Sequence, residues 1–358
     1  VNLLDADHLR RLDAHLAAVV DRLACDAAVP ALAQILSRFV LAGGKRIRPQ
    51  LCLWTYLTAR DGDAAGAPPD PRNASLGPVL DLACAWELFH AFLLVHDDII
   101  DNADTRRDQI ALHRQLASLD SNCPVFGQNL GIVAGDLLFT SAMRVFHEVD
   151  LPDAPYRRQL RLFSRVACTT GFGQAVDIVQ SHVPLDDVCE TTLLKGYHGK
   201  TAAYTFEGPM VSGGICAGLP DDALAALSRF GSAIGQAYQL QNDLLDLAAP
   251  AHEGCDLLQG KRTITLVRGR AAMAAADRAE FDRGLARIPS ANGQAVAIAE
   301  SLRQRLLATT APAQTHALID RLLTDARDAT ADESLPPALS AGLGQLLDRL
   351  AAVYFTPA

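Results

Sequence analysis

Apolar residues recur at three- and four-residue intervals from the start of the chain. Leu9, Leu12, Leu16, Val19, Val20 and Leu23 form one stripe, which Pro30 closes. A second apolar stretch ends at Gly43-Gly44, and a third runs from Leu76 through Asp101 with almost no Gly or Pro after Pro78. The same periodicity predicts helices over 131–149, 155–182, 186–218 and 221–248, then several shorter ones to the C-terminus. Two breaks punctuate the pattern: DGDAAGAPPDPRNASLG at 61–77 and AAPAHEG at 248–254. Clean period-2 alternation of β-branched residues is hard to find, and repeats and low-complexity linkers are not evident. The expected fold is therefore all-α, one continuous domain over residues 1–358.

Two acidic clusters interrupt strongly apolar helices. The first, FLLVHDDIID, holds Asp97, Asp98 and Asp101; Asp97 and Asp101, four apart, project from one helical face. Like charges at that spacing destabilise a helix unless a cation neutralises them, and the helix dipole disfavours anions at a C-terminal end. Hard carboxylate oxygens suit Mg²⁺, which completes its shell with water and substrate phosphate. The second cluster, YQLQNDLLDL, holds Asn242, Asp243 and Asp246 at the end of another long apolar helix. Carboxylates on separate helices of one bundle are how such metal sites are built, facing each other across a cavity.

Charge changes the picture. Of 358 residues, 41 are acidic and 32 basic, a net charge of −9, which argues against a nucleic-acid partner. Any phosphate site must be local, and the cations do come in compact groups: Lys45, Arg46 and Arg48 in GGKRIRP, Arg106 and Arg107 in DTRR, Lys200 with Thr201 in HGKT, Lys261 and Arg262 in QGKRT. The paired glycines of the first group allow close backbone approach to an anion. No GxxxxGK[ST], GxGxxG or GxSxG motif is present, so P-loop, dinucleotide and serine-nucleophile chemistries are set aside. Eight cysteines without a CxxC pair read as mostly buried thiols in a reducing compartment. The charged opening stretch VNLLDADHLRRLDAHLAAVV fits neither signal peptide nor anchor, and no uncharged apolar run approaches the ~18 residues of a spanning helix. A soluble, cytoplasmic protein with no membrane span is expected.

GGKRIRP, HDDIIDNADTRR, GQAVD, KTAAY, YQLQNDLLD and DLLQGKRT, in this order and at these spacings, closely resemble the trans-isoprenyl diphosphate synthases, or polyprenyl synthetases, from about residue 40 to 265. The resemblance implies an all-α helical bundle of the isoprenoid-synthase type around a deep central cavity, forming a homodimer. It implies Mg²⁺-assisted head-to-tail condensation of an allylic diphosphate with isopentenyl diphosphate, with three ions around the bound diphosphate. Carried over by position, Asp97 and Asp101 would ligate Mg²⁺ with Asp98 in support, and Asn242, Asp243 and Asp246 would form the second metal motif. Lys45, Arg48, His90 and Arg107 match the isopentenyl diphosphate site, and Arg106 an allylic diphosphate contact. Lys200, Thr201, Gln239 and Lys261 match the other half of the allylic site, while Asp177 and Tyr204 match positions lining the reacting centre.

Two departures fall in the second motif. Asn242 stands where the family usually has Asp, and the loop AAPAHEGCD lacks the family's usual lysine. An Asn-Asp pair also opens the second motif of class I terpene cyclases. Against that alternative, position 246 is Asp and 250 is Pro where a cyclase has Ser or Thr and Glu. A non-catalytic partner subunit of the same fold is the third reading. For product length, Phe92 and Phe89 lie five and eight residues before Asp97, about 7–12 Å down the helix axis. There they would floor the cavity, and with Leu93 beside them the pattern looks most like a geranylgeranyl synthase, then a farnesyl one. Core packing is the alternative role for both rings.

Overall fold

The structure, a computed structural model, describes residues 2–24, 28–61, 76–106, 109–120, 123–253, 256–291 and 293–355. Arg107, Cys25, Cys255 and most of the expected loop at 61–77 lie outside the described residues. In chain order the helices are α1 Ala6–Ala24, α2 Pro30–Leu41, α3 Ile47–Asp61, α4 Gly77–Ile100, α5 Leu112–Ala117, α6 Pro124–Glu148, α7 Asp153–His182 and α8 Glu190–Tyr197. A π-helical segment, His198–Glu207, follows. Then come α9 Gly208–Cys216, α10 Asp221–Ala248, α11 Ile264–Ala272, α12 Ala275–Arg287, α13 Ala295–Leu307, α14 Ala311–Thr330 and α15 Pro337–Tyr354. The only strands among the described residues are β1 Thr105–Arg106 and β2 Gln109–Ile110, an antiparallel pair with Thr105 opposite Ile110. The fold is all-α, as the periodicity predicts.

Contacts divide the chain into two compact units, Val1–Phe163 with Pro209–Pro220, and Ser164–Gly208 with Asp221–Ala358. In the first, α4 packs on α6 and α3, and α5 on α6. The residues of α4 from Leu82 to Ala91 are all buried, so it has no polar stripe, the mark of a helix enclosed on every side. In the second, α10 packs on α14 and on the π-helical segment. Its Leu227, Phe230, Ile234, Ala237, Leu240 and Leu244 form one buried stripe.

Three expectations need correction. The helix expected at 131–149 begins at Pro124, a first-turn proline whose missing N–H is harmless there. The helix expected over 186–218 is α8, the π-helical segment and α9 in succession. Two helices, α4 and α6, are long and apolar enough to cross a membrane by length and composition, although Asp81 and Glu87 interrupt the first and Asp136 the second, so neither is an uncharged run. The apolar window of α4 is 72% buried, which identifies it as a core helix. And the thiols, expected mostly buried, are not so among the six described cysteines, all free: Cys52 and Cys84 are buried, Cys123 and Cys216 half-buried, and Cys168 and Cys189 exposed.

Candidate active site

In the first unit the turn between α2 and α3 is built by Gly43 at φ 91° and Gly44 at φ 144°, backbone that glycine adopts freely. Arg46 follows at φ 45°, a left-handed conformation that costs a side-chain-bearing residue about 1 kcal/mol or more. Its guanidinium secures the turn: Nη1 donates to Glu87 Oε1 on α4 at 2.6 Å, both side chains being nearly buried. Gln50 Nε2 donates to the Lys45 carbonyl at 2.6 Å. The turn thereby presents exposed Lys45 and half-buried Arg48. His90, buried three residues beyond Glu87, joins Arg46, Arg38, Glu87 and Arg106 around a cavity of about 310 Å³.

The first acidic cluster ends α4. Asp101 is the capping residue, its N–H donating to the Asp97 carbonyl at 2.8 Å, and no basic residue occupies the last turn. The opposing charge arrives by tertiary contact, because the β1–β2 hairpin folds Arg106 back onto the cluster. Arg106 Nε donates to Asp98 Oδ1 at 2.6 Å, and Nη2 to Asp97 Oδ2 at 3.3 Å. Burial pushes the Asp98 carboxyl upward, Arg106 opposes that, and Asp97 and Asp101 add to it; the net shift is upward. Asp98 Oδ2 is buried without a hydrogen-bond partner. Arg106, matched from sequence to the allylic diphosphate, is thus engaged with the aspartates. Below them, Phe92 packs its ring 5.2 Å from Phe139 and 5.6 Å from Phe89. Phe89 is only 1% exposed, a core position, while Phe92 is half-buried.

The second unit joins its candidates in one network. Lys200 Nζ donates to Asp177 Oδ2 at 2.6 Å, and Thr201 Oγ1 to Gln239 Oε1 at 2.6 Å. Gln239 Nε2 donates to Asp243 Oδ1 at 2.9 Å, and the Tyr197 hydroxyl donates to Asp243 Oδ2. Burial, with the Asp256 charge behind it, pushes the Asp243 carboxyl up to about 8, against the bonds from Tyr197 and Gln239 and the charge of Lys261. Burial and Asp256 likewise push Asp246 up to about 6. The Asp256 N–H donates to Asp246 Oδ2 at 2.9 Å, and Lys261 Nζ lies 3.4 Å from Asp256 Oδ1. Asp177, Lys200, Gln239, Asp243, Asp256 and Lys261 line a cavity of about 50 Å³. Asn242 and Tyr204 are half-buried beside them in sequence.

Tyr197 and Asp256 escape a reading of the sequence. Asp256 left one signal, a carboxylate five residues before Lys261, closed by the Lys261 N–H donating to the Asp256 carbonyl at 2.9 Å. Tyr197 left none, since its partner Asp243 is 46 residues away.

Among the described residues no three His, Cys, Asp or Glu side chains are arranged to hold a metal by themselves. The donors within each cluster are nonetheless hard oxygens, and Asp98 Oδ2 is buried without a hydrogen-bond partner, which leaves acceptor capacity unused in the first cluster. That fits Mg²⁺, which takes one or two carboxylates and fills its shell from water and phosphate.

A sequence model of the polyprenyl synthetase family matches residues 29–302. The geranylfarnesyl diphosphate synthase of Natronomonas pharaonis is 32% identical over 248 residues, 65% of this chain and 67% of that one. The geranylgeranyl diphosphate synthase of Methanosarcina mazei is 28% identical over 266 residues, 73% and 74% of the two chains. Among solved structures, the Corynebacterium glutamicum geranylgeranyl pyrophosphate synthase, complexed with isoprenyl diphosphate and magnesium, is 27% identical with a TM-score of 0.81. That match covers 99% of this chain and 100% of the other.

Proposed function

The chain belongs to the polyprenyl synthetase family, and on that premise we propose that it joins an allylic diphosphate to isopentenyl diphosphate head-to-tail, giving geranylgeranyl diphosphate. One observation carries the reading: Arg106 both lines the cation-rich cavity of the first unit and binds the aspartates at the end of α4. The carboxylates proposed for the metal therefore meet the cavity's own basic side chains, Arg38, Arg46 and His90 among its lining, at one residue, while Lys45 and Arg48 stand outside that lining.

Lys45 and Arg48, with His90 and Arg107, are proposed to receive isopentenyl diphosphate. Lys200, Thr201, Gln239 and Lys261 are proposed to hold the allylic diphosphate, whose oxygens would compete with Asp177 for the Lys200 ammonium. Asp97 and Asp101, and in the second unit Asn242, Asp243 and Asp246, would hold Mg²⁺. Bound magnesium supplies positive charge against the departing diphosphate. The lysines and arginines add to that charge and favour ionisation of the allylic C–O bond. The double bond of isopentenyl diphosphate would attack the allylic cation to form the new carbon–carbon bond, leaving the charge on the isopentenyl unit. Loss of a proton there restores a double bond, and we assign the released diphosphate as the proton's acceptor. The apolar rings around Phe92 keep water from the cation and bound the chain. A homodimer is proposed on the resemblance alone, and a cytoplasmic setting on eight cysteines without a CxxC pair.

The test is a product assay. Purified protein, Mg²⁺ and isopentenyl diphosphate are incubated in turn with dimethylallyl, geranyl and farnesyl diphosphates, and both linear diphosphates and hydrocarbons are analysed. A linear twenty-carbon diphosphate, lost on chelation or in Asp97→Ala, is the expected result. Hydrocarbons formed without isopentenyl diphosphate would replace it with the cyclase reading, which Asn242 favours. Inertness until a second protein is added would point to a partner subunit.

A further inference from the structure

Lys200 and Thr201 sit on an unusual support. His198–Glu207 is π-helical over 10 residues, whereas π-helices normally occur as single-turn bulges. The segment is also tightly confined. A Cβ on Gly173 of α7 would lie 2.2 Å from the Lys200 nitrogen, and one on Gly235 of α10 would lie 2.3 Å from the Ala202 Cα. With no room to move sideways, a change of winding must rotate side chains instead.

One buried carboxylate spans the segment. Glu207, its last residue, is 2% exposed. It accepts from His198 Nε2, on the first residue, at 3.0 Å. It also accepts from Arg165 Nη1 on α7 at 2.8 Å and from Ser228 Oγ on α10 at 2.9 Å. In an α-helix nine residues make about two and a half turns, which would put His198 and Glu207 on opposite faces. The wider i→i+5 winding brings them onto one face. The His198–Glu207 bond is therefore compatible with the π register and not with the α register.

We propose that Glu207 is a positioning residue: by tying both ends of the segment to α7 and α10 it holds the π register that aims Lys200 and Thr201. This rests on the reading of those two residues as allylic diphosphate ligands. Slipping to α winding rotates successive side chains by up to about 100° per residue of slip. That would withdraw Thr201 from Gln239, and with it the Gln239 bond to Asp243.

The experiment compares the full-length protein with Glu207→Ala, and with His198→Ala and Ser228→Ala as milder variants in case the first does not fold. Three quantities are measured: KM for geranyl and for isopentenyl diphosphate, affinity for inorganic pyrophosphate with Mg²⁺ by calorimetry, and amide hydrogen exchange over 198–207. The expected result is a rise of about tenfold or more in the geranyl diphosphate KM, with weakened pyrophosphate binding. Exchange should be faster within the segment, and the isopentenyl diphosphate KM should stay within about twofold, because a positioning effect is confined to the ligands it aims. Folded variants whose two KM values are unchanged, or rise together, would overturn the proposal. A wild-type protein that neither turns over nor binds pyrophosphate would remove the ligand reading itself. Faster exchange in the variants would then show the clamp to be structural only.

Discussion

Arg106 and Asp98 form an ion pair in which the carboxylate is fully buried and the guanidinium is 30% exposed, with Nε 2.6 Å from Oδ1. They are eight residues apart, brought together by the turn after α4 and the two-residue strands that follow. The pair closes the end of α4 beneath the two aspartates proposed to meet the metal.

Removing Arg106 leaves Asp98 buried and unpaired, which destabilises by about 3 kcal/mol or more. Arg106→Met should therefore lower the urea midpoint, and Asp98→Asn in the same chain should recover much of the loss. A full double-mutant cycle at neutral pH measures this. Additive effects of the two changes would mean that the pair is not coupled.

Phe89 and Phe92 should separate by phenotype. Phe89 is enclosed by Trp86, Phe92, Phe139 and Phe163, so Phe89→Ala should destabilise by about 3–5 kcal/mol. Phe92 is half-buried, so Phe92→Ala should melt closer to the parent while shifting product toward longer chains. Chromatography of dephosphorylated products decides, and unchanged length would remove Phe92 from the floor of the cavity.

Asn242, proposed as a metal ligand, would offer an uncharged carbonyl where the family usually has a carboxylate. Metal affinity in oxygen sites rises with ligand charge, so Asn242→Asp should lower the Mg²⁺ concentration for half-maximal activity by about tenfold. An Mg²⁺ titration at saturating substrates tests it. No shift would place Asn242 outside the metal's coordination.

Acid should act on Glu207 in a definite direction. Burial raises its pKa, but the bonds from His198, Arg165 and Ser228 outweigh it, and the carboxyl lies below its ordinary value of 4.5. A depressed carboxylate contributes stability that is fully present above pH 4.5 and fades as pH falls through the folded value. The melting-temperature gap between parent and Glu207→Gln should be widest near neutral pH and narrow progressively as pH falls below 4.5. A gap independent of pH would mean the charge is not what the bonds require.

Much of the fold is legible without coordinates. Leu12, Leu16, Val19 and Val20 are all buried on α1, and α4 and α10 lie where their apolar runs put them, because burial of a helix face imposes its own period. Asp97, Asp98, Asp101 and Asp243 stand out because carboxylates at the ends of apolar helices defy both dipole and solvation. The π-helical winding of 198–207 does not stand out. Its apolar positions remain consistent with an ordinary helix, and the bonds that select the wider register come from Arg165 and Ser228 on other helices.

The sequence by itself determined the helical class, the two carboxylate clusters, the neighbouring cations and, through six ordered motifs, the family. These are local signals, each carried by side-chain chemistry within a dozen or so residues. Only the tertiary structure decided that Arg106 answers Asp98, that Glu87 holds Arg46 in a left-handed turn, and that the second cluster meets a hydroxyl donor in Tyr197 and a like charge in Asp256. The physical reason is that charge pairing and desolvation depend on distance and burial in space. Two residues 41 or 46 apart, such as Arg46 and Glu87 or Tyr197 and Asp243, carry no mark of their meeting until the chain has packed.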